Sequence, residues 1–383
     1  MKQIPPVDLT RQYKHIEAEA NIAVLDLLKS GRYTGGEAVA TFERKFADYI
    51  GVSECVSCNS GTDALFLALK ALDIGEGDEI ITTSFSFFAT AEVITRVGAK
   101  PIFIDLDRTT FNLDLAQIER AITPRTKAIL PVHLFGQPVN MTELMAIAKA
   151  HNLYVIEDCA QATGAMWERK KIGGIGHIGC FSFYPSKNLG ACGDGGAATT
   201  NDPAIAKQMR ILKEHGSPSR YRHDFVGINS RLDAVQAVIL TIKLRYLDYW
   251  NQQRQRAAQY YQELLQAVTS IELPQTIAGG TNVWNQYTIR LVKSGLKTAN
   301  NSSDRDRREL VQQLLSDRGI ISMIYYPIPL HLQPVYQNLG IKGQLPIVQQ
   351  TAREVLSLPI FPGISEAEQE QVAYALKDCL LEV

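Results

Sequence analysis

Short apolar runs that alternate with helix-period segments are the feature that most constrains the fold of this chain. Four runs have the length and composition of buried strands, at residues 79–83, 101–105, 128–132 and 154–158. Between them, residues 89–97 and 141–150 show apolar positions at helical spacing. Because strands and helices that alternate in this way are joined by crossovers, the pattern predicts an α/β fold around a mostly parallel sheet. Ligands of such sheets bind beyond the carboxyl ends of the strands.

The flanking segments complete the predicted organisation. Helical spacing indicates helices at 16–29 and 39–49, and strand-like runs follow at 178–184 and 195–200. One long helix is predicted from 232 to about 265, and a strand from 286 to 291. Glycine and polar clusters at 279–282 and 297–303 indicate loops. We therefore predict a large domain over residues 1–251 and a smaller α+β domain over residues 252–383.

Composition argues against several functional classes. A net charge of -1 offers no basic face for nucleic acid or an anionic membrane, so any phosphate must be bound by a few local groups. No apolar run reaches the roughly 18 residues of a membrane helix, and residues 1–10 do not resemble a signal peptide. The six cysteines lack the spacing of a disulfide framework, and the C-x-x-C of Cys55 and Cys58 has no second pair. We expect a cytoplasmic protein with reduced thiols.

A lysine among small residues is the first candidate for covalent chemistry. Lys187 follows a predicted strand and a bend fixed by proline, and its neighbours leave room for a flat ring. A lysine that attacks an aldehyde needs such a place near phosphate donors, which Ser182 and Ser186 could provide. From these residues alone, the alternative is a solvated loop lysine, as most lysines are.

Two acids end the predicted strand at 154–158. A carboxylate at this edge could pair with a protonated pyridine nitrogen, and Gln161 could hydrogen-bond the ring oxygen or the substrate. Because side chains alternate along a strand, Glu157 and Asp158 should point to opposite faces, so only one should reach the site. The alternative is that one acid caps the following turn.

Other segments have both a functional and a structural interpretation. Residues 59–64 open a helix, where Gly61 and Thr62 suit a phosphate, although ordinary capping has the same pattern. Phe87 could stack on a ring, but phenylalanines in such places are more often core residues. His133 is equally compatible with a catalytic and a structural role. The cations, aromatics and amides across 220–233 could recognise an anion, although a solvated loop would have the same composition. No metal-binding motif is apparent in the sequence.

The order of these motifs resembles one family over nearly the whole chain, the DegT/DnrJ/EryC1/StrS sugar aminotransferases of the aspartate-aminotransferase fold type. The matching motifs lie at 35–43, 59–65, 132–137, 157–161, 182–189, 227–233 and 326–331. The resemblance implies a transferase of fold type I that depends on pyridoxal 5′-phosphate (PLP), with a mixed, mostly parallel sheet flanked by helices. It implies that Lys187 forms the Schiff base and that Asp158 pairs with the pyridine nitrogen. The other implied cofactor contacts are Gly61, Thr62, Phe87, Gln161, Ser182 and, from the neighbouring subunit, Asn229.

The resemblance also implies a reaction. Family members transfer an amino group from L-glutamate to a keto hexose attached to dTDP or UDP, in a homodimer with shared active sites. The segments at 215–231 and 326–329 are most similar to enzymes that aminate a 3-keto sugar. We therefore take as candidate substrate-binding residues Tyr221, Arg231, Tyr325 and Tyr326. Relatives commonly have histidine where this chain has Tyr325, so its substrate could differ from theirs.

Three alternatives stay open from the sequence. One is a 4-keto-sugar aminotransferase of the same family. Another is a PLP-dependent sugar dehydratase, in which histidine replaces the Schiff-base lysine, so that Lys187 argues against it. The last is a non-catalytic regulator, which would be suspected if the lysine were missing. We retain Lys187, Asp158 and His133 as catalytic candidates and expect no metal.

Overall fold

A computed structural model describes residues 3–292, 304–341 and 343–383, so the loop predicted at 297–303 lies outside the described residues. The helices are α1 (Leu9–Ser30), α2 (Gly36–Ile50), α3 (Gly61–Ala71), α4 (Ala89–Arg96), α5 (Ile118–Ala121), α6 (Met141–Ala150), α7 (Pro203–Lys213), α8 (Ala234–Leu244), α9 (Leu247–Leu265), α10 (Asp304–Asp317), α11 (Pro334–Asn338), α12 (Pro346–Glu354) and α13 (Glu366–Glu382). Among the described residues, none of these helices combines the length and the apolar character that crossing a membrane requires.

The strands form one large and two small sheets. They are β1 (Glu54–Cys58), β2 (Glu79–Thr83), β3 (Lys100–Ile104), β4 (Thr126–Leu130), β5 (Tyr154–Asp158), β6 (Met166–Trp167), β7 (Lys170–Lys171), β8 (Ile178–Ser182), β9 (Gly196–Thr200), β10 (Ile271–Glu272), β11 (Gly280–Thr281), β12 (Tyr287–Leu291) and β13 (Val355–Leu358). The small sheets have the orders β10-β12-β13 and β11-β6-β7.

The large sheet confirms the predicted parallel architecture. Its strand order is β1-β9-β8-β5-β4-β2-β3. Strand β9 runs in the direction opposite to the other six, which are parallel to one another. The four strands predicted between residues 79 and 158 are present within two residues of the predicted bounds. Their apolar runs are continuous because helices cover both faces of the sheet. The carboxyl ends of β2, β4, β5 and β8 consequently meet at one edge, where a ligand site is expected.

Each face of the large sheet has its own apolar core. Helices α3 and α7 cover one face, and α2 and α8 cover the other. On the second face Phe46 of α2 packs edge-on against Phe181 and Phe183, with ring centroids 5.0 and 5.4 Å apart. These edge-to-face contacts fix α2 against β8 and the segment that follows it.

The predicted long helix over 232–265 is wrong, because α8 and α9 are separate. At the junction, Arg245 N–H bonds to Ile242 O and Tyr246 N–H bonds to Lys243 O, three residues back instead of four. This tighter turn interrupts the α-helical ladder without glycine or proline, so no residue at the junction indicated a break. Helix α8 packs on α1 and α2, whereas α9 packs on α13.

A second apolar core surrounds the sheet β10-β12-β13, between α9, α10 and α13. Ile4, near the amino terminus, also packs into this core. Helix α9 runs across the boundary between 251 and 252, so the division of the chain at that point stays a prediction.

We expect Phe46→Ala to lower the free energy of unfolding by about 3–5 kcal/mol, since it leaves a cavity beneath α2. Urea denaturation followed by circular dichroism measures this change. The matched control is Tyr374→Ala on α13, whose ring is 69% exposed and whose loss should change stability by less than about 0.5 kcal/mol. Equal effects of the two substitutions would contradict the proposed role of the aromatic cluster.

Candidate active site

A cavity of about 510 Å³ opens at the edge where the parallel strands end. Its walls come from the start of α3, the loop after β2, the ends of β5 and β8, and two segments of the C-terminal half. The residues predicted from the sequence that line it are Gly61, Thr62, Phe87, Asp158, Gln161, Ser182, Lys187, Tyr325 and Tyr326. The fold therefore brings together in one space residues that are up to 265 positions apart (from 61 to 326).

Lys187 lies on the turn that follows β8. Its backbone N–H donates to Tyr184 O at 2.9 Å, which closes the turn and directs the lysine into the cavity. Burial lowers the pKa of Lys187 to about 8, and the negative charge of Asp158 opposes this shift. The uncharged amine that a nucleophile requires is consequently reached at a lower pH than for an ordinary lysine.

The two acids at the end of β5 point to opposite faces, as strand alternation predicts. Asp158 lines the cavity, and its Oδ1 accepts from Ala160 N–H at 3.1 Å while its Oδ2 accepts from Thr90 Oγ1 at 2.9 Å. Burial raises the pKa of Asp158, and these two donors with nearby Lys187 act against that rise. Glu157 faces away from the cavity and accepts backbone N–H bonds from Gly173 and Gly176 at 2.8 and 2.6 Å.

His133 does not line the cavity. Its Nε2 lies 3.0 Å from Glu157 Oε2, its Nδ1 accepts from Val139 N–H at 3.0 Å, and the ring is fully buried. Because both ring nitrogens are engaged, the geometry favours the structural alternative for this residue. His133, Glu157 and Cys159 form a cluster whose potential ligand atoms lie within 4.8 Å, but those of the histidine and the carboxylate already have hydrogen-bond partners. The cluster gives no reason to expect a metal.

The amino terminus of α3 is both capped and open to the cavity. Ser60 Oγ accepts from Asp63 N–H at 3.1 Å, which is the capping predicted as the alternative. A Cβ at Gly61 would lie 2.7 Å from Ser182 Cβ, so only glycine lets the helix start so close to β8. Thr62 and Ser182 add hydroxyls beside the unpaired N–H groups of the first turn. This is a cradle of the size and polarity that suits a phosphate.

Two hydrogen bonds hold the side chain of Gln161 in a fixed orientation at the cavity wall. Its Oε1 accepts from Phe135 N–H at 2.7 Å, and its Nε2 donates to Tyr326 Oη at 2.9 Å. Phe87 is 60% exposed with its ring centroid 6.4 Å from that of Tyr326, so it belongs to the cavity wall and not to the core. The ring is available for stacking on a flat ligand.

Besides His133, three more predicted residues lie outside the cavity of a single chain. Tyr221 is 84% exposed, Arg231 Nε pairs with Glu214 at 2.8 Å, and Asn229 lies beside Ser230 in the same tract. Among the described residues, Lys187 is the one lysine or arginine that lines the cavity.

Sequence reasoning missed several lining residues, among them Thr90, Tyr184 and Gln286. Thr90 was hidden inside a helix-period segment, although a polar side chain in the first turn after a strand could have drawn attention to it. Gln286 directly precedes β12 in the other half of the chain, and nothing local in the sequence connects it with Lys187.

The fold and the site define a PLP-dependent transferase of fold type I. The model of the DegT/DnrJ/EryC1/StrS aminotransferase family matches residues 14–377, and the chain belongs to this PLP-dependent family. The structure is similar to a crystal structure of S. venezuelae DesV in complex with a ketimine intermediate, with a TM-score of 0.92 and 39% identity over 99% of this chain and 98% of that one.

Two curated relatives extend the comparison. A UDP-N-acetyl-3-dehydro-alpha-D-glucosamine 3-aminotransferase of Acidithiobacillus ferrooxidans is 43% identical over 98% of both chains. A protein of Geobacillus stearothermophilus named pleiotropic regulatory protein is 44% identical over 96% of both chains. The family thus includes names that refer to catalysis and names that refer to regulation.

We expect the amine of Lys187 to become reactive at a lower pH than those of the exposed lysines. Its neutral form accumulates as the pH rises through about 8, whereas ordinary lysines require roughly 10.4. Reductive methylation of cofactor-free protein over a pH series, followed by peptide mass spectrometry, compares all lysines in one digest. A profile for Lys187 that coincides with that of the exposed lysines would contradict the lowered pKa.

Proposed function

We propose that this aminotransferase moves an amino group from L-glutamate to the 3-position of a keto sugar attached to dTDP or UDP, for amino-sugar biosynthesis. The observation that carries the proposal is one cavity that holds Lys187 with its lowered pKa, the buried carboxylate of Asp158 and the open amino terminus of α3. A nucleophilic amine, a partner for a pyridinium and a phosphate cradle in one place are what a PLP enzyme requires.

The cavity residues fit PLP by their chemistry. Lys187 would hold the cofactor through Nζ, and Asp158 would pair with its pyridine nitrogen. Thr62, Ser182 and the N–H groups at Gly61 would bind the phosphate, in a space that a side chain at position 61 would fill. Bound PLP supplies an electron sink for the negative charge that develops during amino transfer.

The remaining steps depend on the protein's own groups. Lys187 is placed to take up and return a proton at the reacting carbon, because its pKa of about 8 lies near the working pH. Gln161, fixed by two hydrogen bonds, would orient the ring hydroxyl, and Phe87 would stack on the ring. Tyr325 and Tyr326, which also line the cavity, would offer hydroxyls to the sugar.

A homodimer would supply what a single chain lacks. A sugar diphosphate carries negative charge, yet among the described residues that line the cavity the one lysine or arginine is Lys187, which would be bonded to the cofactor. The tract at 215–231 is exposed around Tyr221, and Arg220 stacks on that ring. Helix α1 also exposes an apolar row of Ile22, Leu25 and Leu28. We propose that a second copy covers this row.

In this dimer the 215–231 tract of each copy, with Asn229, Tyr221 and Arg231, would reach the other copy's cavity. The cytoplasmic location predicted from the sequence stays part of the proposal.

The names of the relatives support 3-amination. The 43% identical relative is named a 3-aminotransferase of a 3-dehydro UDP-sugar. The relative named a pleiotropic regulatory protein supports the alternative, a non-catalytic role. Lys187 and Asp158 in a formed cavity favour catalysis, because a regulator would have no need of a lysine with a lowered pKa.

We expect purified protein with PLP to show the visible absorbance of lysine-bound cofactor, and Lys187→Ala to abolish it. Lys170→Ala, which removes an exposed lysine, is the matched control and should keep the band. Borohydride reduction followed by peptide mapping should place the label on Lys187. A label on another residue would refute the assignment, whatever the substrate.

A panel of keto sugars tests the regiochemistry separately. With L-glutamate as donor, we expect turnover of 3-keto dTDP- or UDP-sugars, read by mass spectrometry of the aminated product and by release of 2-oxoglutarate. Turnover of 4-keto sugars alone would overturn 3-amination and leave the cofactor assignment intact.

A further inference from the structure

A chain of buried hydroxyls ends on the carboxylate that faces the cavity. Ser86 Oγ lies 2.8 Å from Thr90 Oγ1, which lies 2.9 Å from Asp158 Oδ2. The three side chains are only 4%, 1% and 4% exposed. Since they are buried and aligned, the hydrogen bonds among them are shielded from competition with water.

The direction of these hydrogen bonds follows from proton counting. An ionised carboxylate has no proton, so Thr90 must donate its single hydroxyl proton to Asp158. Thr90 then has no proton for Ser86, and therefore Ser86 donates to Thr90. Each hydroxyl in the chain Ser86 → Thr90 → Asp158 thus points toward the negative charge.

We propose that Thr90 is a positioning residue of the catalytic site, whose hydroxyl, oriented by Ser86, holds Asp158 ionised and aimed at the cavity. The inference deepens the proposed function, since it rests on Asp158 as the partner of the pyridine nitrogen. Thr90 itself acts through Asp158 and takes no part in the amino transfer.

The need for such a residue comes from burial. Burial favours the neutral acid at Asp158, and a neutral acid cannot stabilise a protonated ring nitrogen. Two hydrogen-bond donors oppose the effect of burial, and one of them is the backbone N–H of Ala160, which every residue except proline would also provide. The Thr90 hydroxyl is therefore the side-chain donor that keeps the carboxylate charged.

Thr90 also links Asp158 to the wall that carries Phe87. The N–H of Thr90 donates to Phe87 O at 3.2 Å, and Ser86 precedes Phe87 directly. The hydroxyl chain thus ties the loop after β2 to the end of β5. Thr90 thus orients the carboxylate through its hydroxyl and contacts the segment of Phe87 through its backbone N–H.

The test uses holoenzyme with Thr90→Val, which keeps the shape and removes the hydroxyl, and Thr90→Ser, which restores a hydroxyl. We expect Thr90→Val to lower kcat on the order of 10- to 100-fold, the value of one hydrogen bond to a charged group, with little change in the sugar KM. Thr90→Ser should recover most of kcat. A purely structural residue would lower thermal stability without this split.

The pH profile gives the second readout. Loss of a donor to the charged form raises the pKa of Asp158, so the acidic limb of kcat and the pH titration of the cofactor absorbance should move to higher pH in Thr90→Val. Other titratable groups near Asp158 stay in place in the variant, namely Lys187, His133, Tyr326, Cys159 and Cys180.

An unchanged kcat and an unshifted profile in Thr90→Val would overturn the inference. If that variant does not fold, Ser86→Ala is measured, and a smaller shift in the same direction is expected, while none would overturn the inference. Failure of the proposed function is distinguishable, because it appears without any change at Thr90. Either the unsubstituted protein shows no cofactor band, or Lys187→Ala does not abolish the band.

Discussion

The alternation of two buried carboxylates at the end of β5 is the constraint on which the site depends. Glu157 accepts backbone N–H groups of the turn at 173–176 on one face, and Asp158 lines the cavity on the other. The turn leads directly into β8, whose carboxyl end carries Lys187. Glycine is required there, since a Cβ at Gly173 would lie 2.2 Å from Phe181 Cζ. One acid therefore holds the turn that leads into β8, and the next acid lines the same cavity as Lys187.

Local patterns predicted the parts of the molecule that local physics determines. Buried strands, the opposite directions of Glu157 and Asp158, and the helix start at Gly61 all follow from periodicity or backbone geometry. The resemblance to the aminotransferase family added the assignment of Lys187. The break between α8 and α9 was not predictable, because a shift to three-residue hydrogen bonds has no residue signature.

Contacts between residues that are distant in the sequence were equally unpredictable from it. Gln161 meets Tyr326 across 165 positions, and Thr90 meets Asp158 across 68. Nothing local in the sequence pairs Gln161 with Tyr326 or Thr90 with Asp158. Only the sheet order, which brings the ends of β2 and β5 to one edge, explains why they belong to one site. His133 shows the reverse case, a conspicuous residue whose ring nitrogens serve the fold.

Burial acts on the two central ionisable groups in opposite senses. It favours the neutral amine at Lys187, which suits a nucleophile, and it favours the neutral acid at Asp158, which would not suit the partner of a pyridinium. The burial that lowers the pKa of Lys187 would therefore also protonate Asp158, unless hydrogen-bond donors stabilised the charged carboxylate. The structure provides them at Asp158, from Ala160 and Thr90, while the shift at Lys187 is opposed only by the charge of Asp158. The uneven distribution of hydrogen bonds lets one desolvated space hold both an uncharged base and a charged acid.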